Sequence, residues 1–211
     1  MFSEFAEVSS ATWGVIVALL LVGVVVFAVS KDKKRWPARM LANGALCIAL
    51  STVLSFITLY KMPQGGSITL ASMLPMFLFA YAYGVGPGML VGVAYGFVQF
   101  LQGGLYFVHP VELLLDYPLA FAMLGLAGLS NKFSDQWGMI PGIILGTFGR
   151  FVCAFLSGLI FFGMYAPEGQ NVVIYSMVYN GLYLVPEAII CIVLAMIPQI
   201  RQLAKRLALQ D

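Results

Sequence analysis

Apolar residues fall in long continuous runs, separated by short stretches of Gly, Pro and charge. Seven such runs cover positions 12–30, 40–60, 68–83, 87–101, 111–129, 139–162 and 172–197. None alternates apolar with polar residues, as the strands of a membrane barrel would over about ten positions. Most approach the roughly 20 residues that a helix needs to cross a bilayer. The run at 68–83 is short for a span, so a tilted or irregular segment is expected there. Lys61-Met-Pro-Gln-Gly-Gly66, Gly84-Val-Gly-Pro-Gly88 and 102–110 read as loops from their Gly and Pro. The polar stretches 130–138 and 163–171 read the same way. The pattern predicts an all-α membrane protein with seven helices.

Composition excludes the main alternatives. Of 211 residues, 61% are hydrophobic and 9% charged, against about 25% charged in a soluble domain. From Met62 to Val111 there are 50 residues without one Asp, Glu, Lys or Arg. A soluble enzyme or a nucleic-acid binder cannot be built this way. Cys47, Cys153 and Cys191 sit in apolar runs and read as small buried residues. A single histidine, His109, provides neither a metal cluster nor a Ser-His-Asp triad. No phosphate-binding loop of the G-x-x-x-x-G-K-[ST] kind is present. Active uptake by this chain would therefore draw energy from a partner.

Basic residues set the expected orientation. With the amino terminus outside, Lys31, Lys33, Lys34, Arg35, Arg39, Lys132, Arg201, Lys205 and Arg206 are cytoplasmic, nine of the eleven. Lys61 lies outside and Arg150 within a span. The chain then divides into 1–39, an additional helix with its basic loop; 40–200, a six-helix core; and 201–211, a basic cytoplasmic tail.

Ionisable groups in the lipid layer are costly, about 2.5–3.5 kcal/mol each on insertion scales. Glu112, Asp116, Arg150 and Glu187 fall in or near spans. Glu112 and Asp116, four apart, share a helix face. One Arg can neutralise one acid, leaving two acids that need a cation or a polar cavity. Tyr175, Tyr179, Tyr183 and Glu187 repeat every four residues, with Asn180 alongside. Tyr106, Tyr117 and Phe162 belong to the same end of the predicted bundle. Acids, an amide and aromatic rings together suit a small organic cation with an aromatic ring.

Four segments carry a resemblance. They are Met62-Pro-Gln-Gly-Gly-Ser-Ile68; His109-Pro-Val-Glu-Leu-Leu-Leu-Asp-Tyr-Pro-Leu-Ala-Phe121; Ser157-Gly-Leu-Ile-Phe-Phe-Gly163 with Tyr165-Ala-Pro167; and Ile174-Tyr-Ser-Met-Val-Tyr-Asn180 with Pro186. In this order they resemble the thiamine transporter family, the substrate-binding S component of energy-coupling factor (ECF) transporters. The resemblance implies a six-helix core that binds vitamin from outside, and partners comprising a membrane coupling protein and two ATPase subunits. It implies no enzymatic activity, cofactor or metal. It assigns ligand contacts to Asp116, Tyr117, Tyr175, Asn180, Phe162 and Tyr106, with a backbone contact near Gly158. Ala154 stands where many members have His, and Glu112 is the expected replacement contact. The coupling protein would dock on the small-residue face of Ala42, Ala45 and Ala49. The alternatives are transport of a precursor such as hydroxymethylpyrimidine, or a proton-coupled carrier or intramembrane enzyme built on Asp116, Arg150 and Glu187.

Overall fold

The computed structural model describes residues 36–103, 109–132 and 138–208. The expected first helix at 12–30, its basic loop up to Arg35, Tyr106 and Trp137 lie outside the described residues. Among those described, the order is α1 (Ala38–Phe56), β1 (Thr58–Lys61), β2 (Ser67–Thr69), α2 (Leu74–Tyr83), α3 (Val85–Gln102), α4 (110–132), α5 (Ile140–Phe161), α6 (Val172–Ala195) and α7 (Pro198–Ala208). The segments α1, α3, α4, α5 and α6 are long and apolar enough to cross a membrane.

The largest departure from the expected pattern follows α1. The apolar run 40–60 is not one helix. It leaves the helix at Phe56 and turns into an antiparallel hairpin, pairing Tyr60 with Ile68 and Lys61 with Ser67. The chain is mostly helical as expected, and this short hairpin is the exception. Pro63, Gln64 and Gly65 make the connection, closed by Met62 N–H donating to the Gly66 carbonyl at 2.7 Å. Gly65 takes φ of 102°, a conformation that Gly adopts without strain.

The hairpin leaves α2 only ten residues, about 15 Å of helix or half a bilayer. Eight of the ten are buried, so α2 is apolar all round because it stands inside the bundle. Phe77, Phe79 and Met73 are almost wholly enclosed there. Non-helical backbone occupies the other half of its track. At membrane depth such backbone is tolerated where protein buries it or where it lines a cavity.

Helices α3 and α4 pack backbone to backbone. Gly88, Gly92 and Gly96 recur every four residues along α3. A Cβ on Gly96 would lie 2.7 Å from the Tyr117 carbonyl oxygen, and one on Gly88 would lie 3.0 Å from Gly125 Cα. Small residues at this spacing let helices approach closely. Helix α4 itself is irregular. It opens as an α-helix at Pro110–Leu114, widens to a π turn at Leu115–Leu119, and ends as a 3-10 helix at Met123–Lys132. Pro118 lies in the π turn and has no N–H to donate, which explains the break in the ordinary ladder.

One end of the bundle gathers Trp36, Met40, Tyr83, Met139 and Ala204 into the core. The amphipathic α7, bearing Arg201, Lys205 and Arg206, packs there. The hairpin and the C-terminal ends of α3 and α5 form the other end.

Candidate binding cavity

A cavity of about 490 Å³ opens between the hairpin, the end of α3, the start of α4 and facing stretches of α5 and α6. Small-molecule sites typically measure roughly 300–1,000 Å³. Its wall includes Asp116, Glu112, Tyr117, Gly158, Phe162, Tyr175 and Asn180. The structure therefore brings together every ligand contact expected from the sequence except Tyr106, which lies outside the described residues. These seven come from three successive helices, α4, α5 and α6, with Phe162 at the end of α5.

The acids stand on α4. His109 caps that helix, its Nδ1 accepting from the Val111 N–H at 3.1 Å while its ring stacks on Phe161. Glu112 follows in the first turn and is buried, 5% exposed. Asp116 sits in the π turn, where a widened helix alters the direction of the side chain. It accepts a hydrogen bond from Ser157 Oγ of α5 at 2.8 Å and shares the cavity wall with Glu112. Tyr117 packs edge-on against Phe100, with centroids 5.4 Å apart.

Arg150 lies over an aromatic ring. Its guanidinium carbon lies 4.2 Å from the centroid of the Phe121 ring, a cation–π contact, and it lines the cavity. Ala154 lies one turn further along α5 and also lines the cavity.

Helix α6 supplies the aromatic wall. Tyr175, Tyr179 and Tyr183 stack in sequence at centroid distances of 5.9 and 6.3 Å. Tyr179 Oη accepts from the Gln64 N–H at 2.9 Å, fastening the hairpin turn to α6. Asn180 is tightly engaged. Its Nδ2 donates to the Ala154 carbonyl at 3.2 Å and the Ser176 carbonyl at 2.9 Å, and Tyr183 Oη donates to its Oδ1 at 2.9 Å. Gly158 lets α5 meet α6, since a Cβ there would collide with Ser176 Oγ. Phe162, at the end of α5, stacks loosely on Tyr165.

Sequence reasoning missed the neutral wall opposite. Ser55, Gln99 and Gln102 line the cavity. Gln99 Nε2 donates to Tyr95 Oη at 3.0 Å and to Gln102 Oε1 at 2.9 Å, and Gln102 Nε2 donates to Ser55 Oγ at 3.0 Å. Two amides three residues apart in an apolar run were the available signal. Lys61 and Gln64, on the hairpin, complete the mouth.

Glu187 does not line the cavity. It is 1% exposed and accepts hydrogen bonds from Thr69 Oγ1 at 2.5 Å and Ser72 Oγ at 2.8 Å. It pins the junction between hairpin and α2 to α6, beneath Tyr183. The line of Asp116, Arg150 and Glu187 that a proton-coupled carrier would use is thus not gathered in one cavity.

The small-residue face of α1 points away from the bundle. Ala42, Ala45 and Ala49 are exposed, while Gly44 faces Val91 and Phe79 and Asn43 donates to Tyr83 Oη at 2.6 Å. Packing among the described residues therefore does not account for these alanines.

Comparison with known proteins agrees with the fold and with the resemblance. The family described as "Thiamine transporter protein (Thia_YuaJ)" matches residues 41–207. The chain is 36% identical over 160 residues to "Thiamine transporter ThiT" of Bacillus subtilis, covering 70% of this chain and 83% of that protein. It is 32% identical over 123 residues to the protein of the same name from Lacticaseibacillus paracasei, covering 52% and 61%. Among solved structures, ThiT from Listeria monocytogenes superposes with a TM-score of 0.66 at 26% identity, covering 79% of this chain and 93% of that one.

Proposed function

The chain belongs to the thiamine transporter protein family, a family of membrane transporters and not of enzymes, and we propose that it captures thiamine as the S component of an ECF transporter. The observation that carries this reading is the cavity. It sets two carboxylates against stacked tyrosines and an amide wall, inside a bundle of largely apolar helices. Thiamine pairs a fixed thiazolium charge with a flat aminopyrimidine. Asp116 and Glu112 receive the charge, Tyr175 and Phe162 offer faces for stacking, and Asn180 and Tyr117 bond the pyrimidine edge. Gly158 offers backbone, and Tyr106 contributes from the loop before α4.

The cavity opens to the outside in this reading, with the amino terminus outside and the carboxyl terminus cytoplasmic. Arg39, Arg201, Lys205 and Arg206, at the far end, support that orientation. The helix expected at 12–30 is an addition to a six-helix core at 40–200. Transport then needs a coupling protein, docked on Ala42, Ala45 and Ala49, and two ATPase subunits. The exposure of those alanines supports a docking role. Hydroxymethylpyrimidine is the weaker candidate, because it offers no fixed charge to the two acids.

Calorimetric titration of the purified full chain with thiamine and hydroxymethylpyrimidine tests the proposal. Saturable binding of thiamine, tighter than of the pyrimidine alone, is expected. Uptake into vesicles should require the ATPase partners. Pyrimidine binding tighter than thiamine would displace this reading, as would uptake driven by a pH gradient alone.

A further inference from the structure

The end of the bundle opposite the cavity carries an excess of positive charge. Only Met196 and Ile197 separate the α6 span from α7, which Pro198 opens. Helix α7 therefore starts at the boundary between hydrocarbon and water, whichever way the chain is inserted.

Its residues divide into two faces at about 3.6 residues per turn. Ile200, Ala204 and Leu207 turn inward, with Ala204 buried and the other two half-buried. Ala204 and Ile200 join the core cluster, and α7 packs on α2. That contact holds the opposite face outward, where Gln199, Arg201, Gln202, Lys205 and Arg206 are exposed. Leu203 stands at the border of the two faces and is 45% exposed. A basic face, an apolar face and an exposed apolar flank are the pattern of a helix at headgroup level.

Helix α1 begins at the same end. Arg39 is exposed in its first turn, and Trp36 packs half-buried against the core just before it. Tryptophan favours the membrane interface. The sequence segments 31–39, 130–138 and 196–211, which adjoin this end, hold nine Lys or Arg against three Asp. Pairing among them therefore leaves a positive excess.

We infer that the basic face of α7, together with Arg39 of α1, is a docking surface for the anionic headgroups of membrane phospholipids. The surrounding layer already offers phosphodiesters at this depth, so no soluble partner has to be recruited. Headgroups bound here anchor the end of the bundle at the interface, and α2 with it through Ala204. The inference does not depend on which ligand fills the cavity.

The test uses the full-length protein in phosphatidylcholine bilayers with spin-labelled phosphatidylglycerol or phosphatidylcholine. The immobilised fraction of each label reports which lipid the protein prefers. Phosphatidylglycerol should be enriched roughly threefold beside the native chain. The preference should fall close to parity at about 1 M salt, where screening acts over about 3 Å. Combined Arg201→Gln, Lys205→Gln and Arg206→Gln should remove most of it. Gln199→Lys with Gln202→Lys adds charge to the same face, should raise the enrichment, and serves if the first variant does not fold. Equal immobilisation of the two lipids by the native chain overturns the inference. So does a preference that survives high salt or the three neutralising changes, or one that the added lysines leave unchanged. Loss of ATPase-dependent uptake in the neutralised variant, with its lipid preference intact, also overturns it and assigns the face to a protein partner.

Discussion

Two acidic sites lie inside this bundle, and they have opposite surroundings. Glu187 is closed in by the hydroxyls of Thr69 and Ser72 and does not line the cavity. Asp116 and Glu112 stand four residues apart on a broken helix, with one hydroxyl donor between helices and an open volume in front. The residue types alone are the same. Burial of charge is costly at both places, but only Glu187 is met by donors arranged for it alone. The acid pair meets a second acid and a space, an arrangement that stability does not favour. An intramembrane carboxylate thus becomes a candidate for ligand binding by what fails to satisfy it, not by its presence in the membrane.

Exchanging charge for amide at the two sites should separate them sharply. Asp116→Asn keeps size and removes the charge facing the cavity. Loss of a charged partner in a buried contact costs about 2–5 kcal/mol, a roughly thirtyfold to several-thousandfold loss of thiamine affinity. Melting temperature without ligand should change little. Near-native affinity would remove Asp116 from the site.

The reciprocal change acts on stability. Glu187→Ala leaves the buried hydroxyls of Thr69 and Ser72 without their acceptor, a loss of about 1–3 kcal/mol. Thermal unfolding in detergent should detect it, and Glu187→Gln, which keeps an acceptor, should recover most of it. Thiamine affinity of the folded Glu187→Gln protein should stay close to native. A loss of affinity as large as that of Asp116→Asn would erase the distinction between the sites.

Tyr179 offers a smaller test, because it joins the two regions. Its hydroxyl holds the hairpin turn through Gln64 N–H. Tyr179→Phe keeps the stacking ring and removes this bond, worth about 0.5–1.5 kcal/mol. The hairpin amides should exchange hydrogen faster, with a modest drop in affinity. Unchanged exchange at Gln64 would show that the turn is held by Gly66 packing on Tyr183 instead.

The sequence was most legible where the membrane imposed the pattern. Helices α5 and α6 end within two residues of the expected limits, because uninterrupted apolar runs of that length leave few options. The hairpin was hidden because Ile57–Tyr60 is as apolar as the helix before it, and lipid hydropathy does not distinguish strand from helix. The π turn showed only as Pro118. The acids and tyrosines were visible as residues that lipid penalises. Gln99, Gln102 and Ser55 were not, since neutral amides and hydroxyls carry a weaker penalty and draw less notice. Glu187 stands outside the cavity for a geometric reason. It continues the four-residue repeat of Tyr175, Tyr179 and Tyr183, but the chain after the hairpin meets α6 at that level and takes up its carboxylate through Thr69 and Ser72. The repeat on α3 of Gly88, Gly92 and Gly96 is legible in the sequence as a small-residue face of the kind that lets helices approach closely.

The most direct measurement is the structure of the protein with thiamine bound. The account predicts the thiazolium ring in the cavity against Asp116 and Glu112, the pyrimidine among Tyr175, Tyr117 and Asn180, and the Thr69 and Ser72 bonds to Glu187 unchanged. Thiamine seated away from Asp116, or contacting Glu187 with those hydroxyls released, would contradict it.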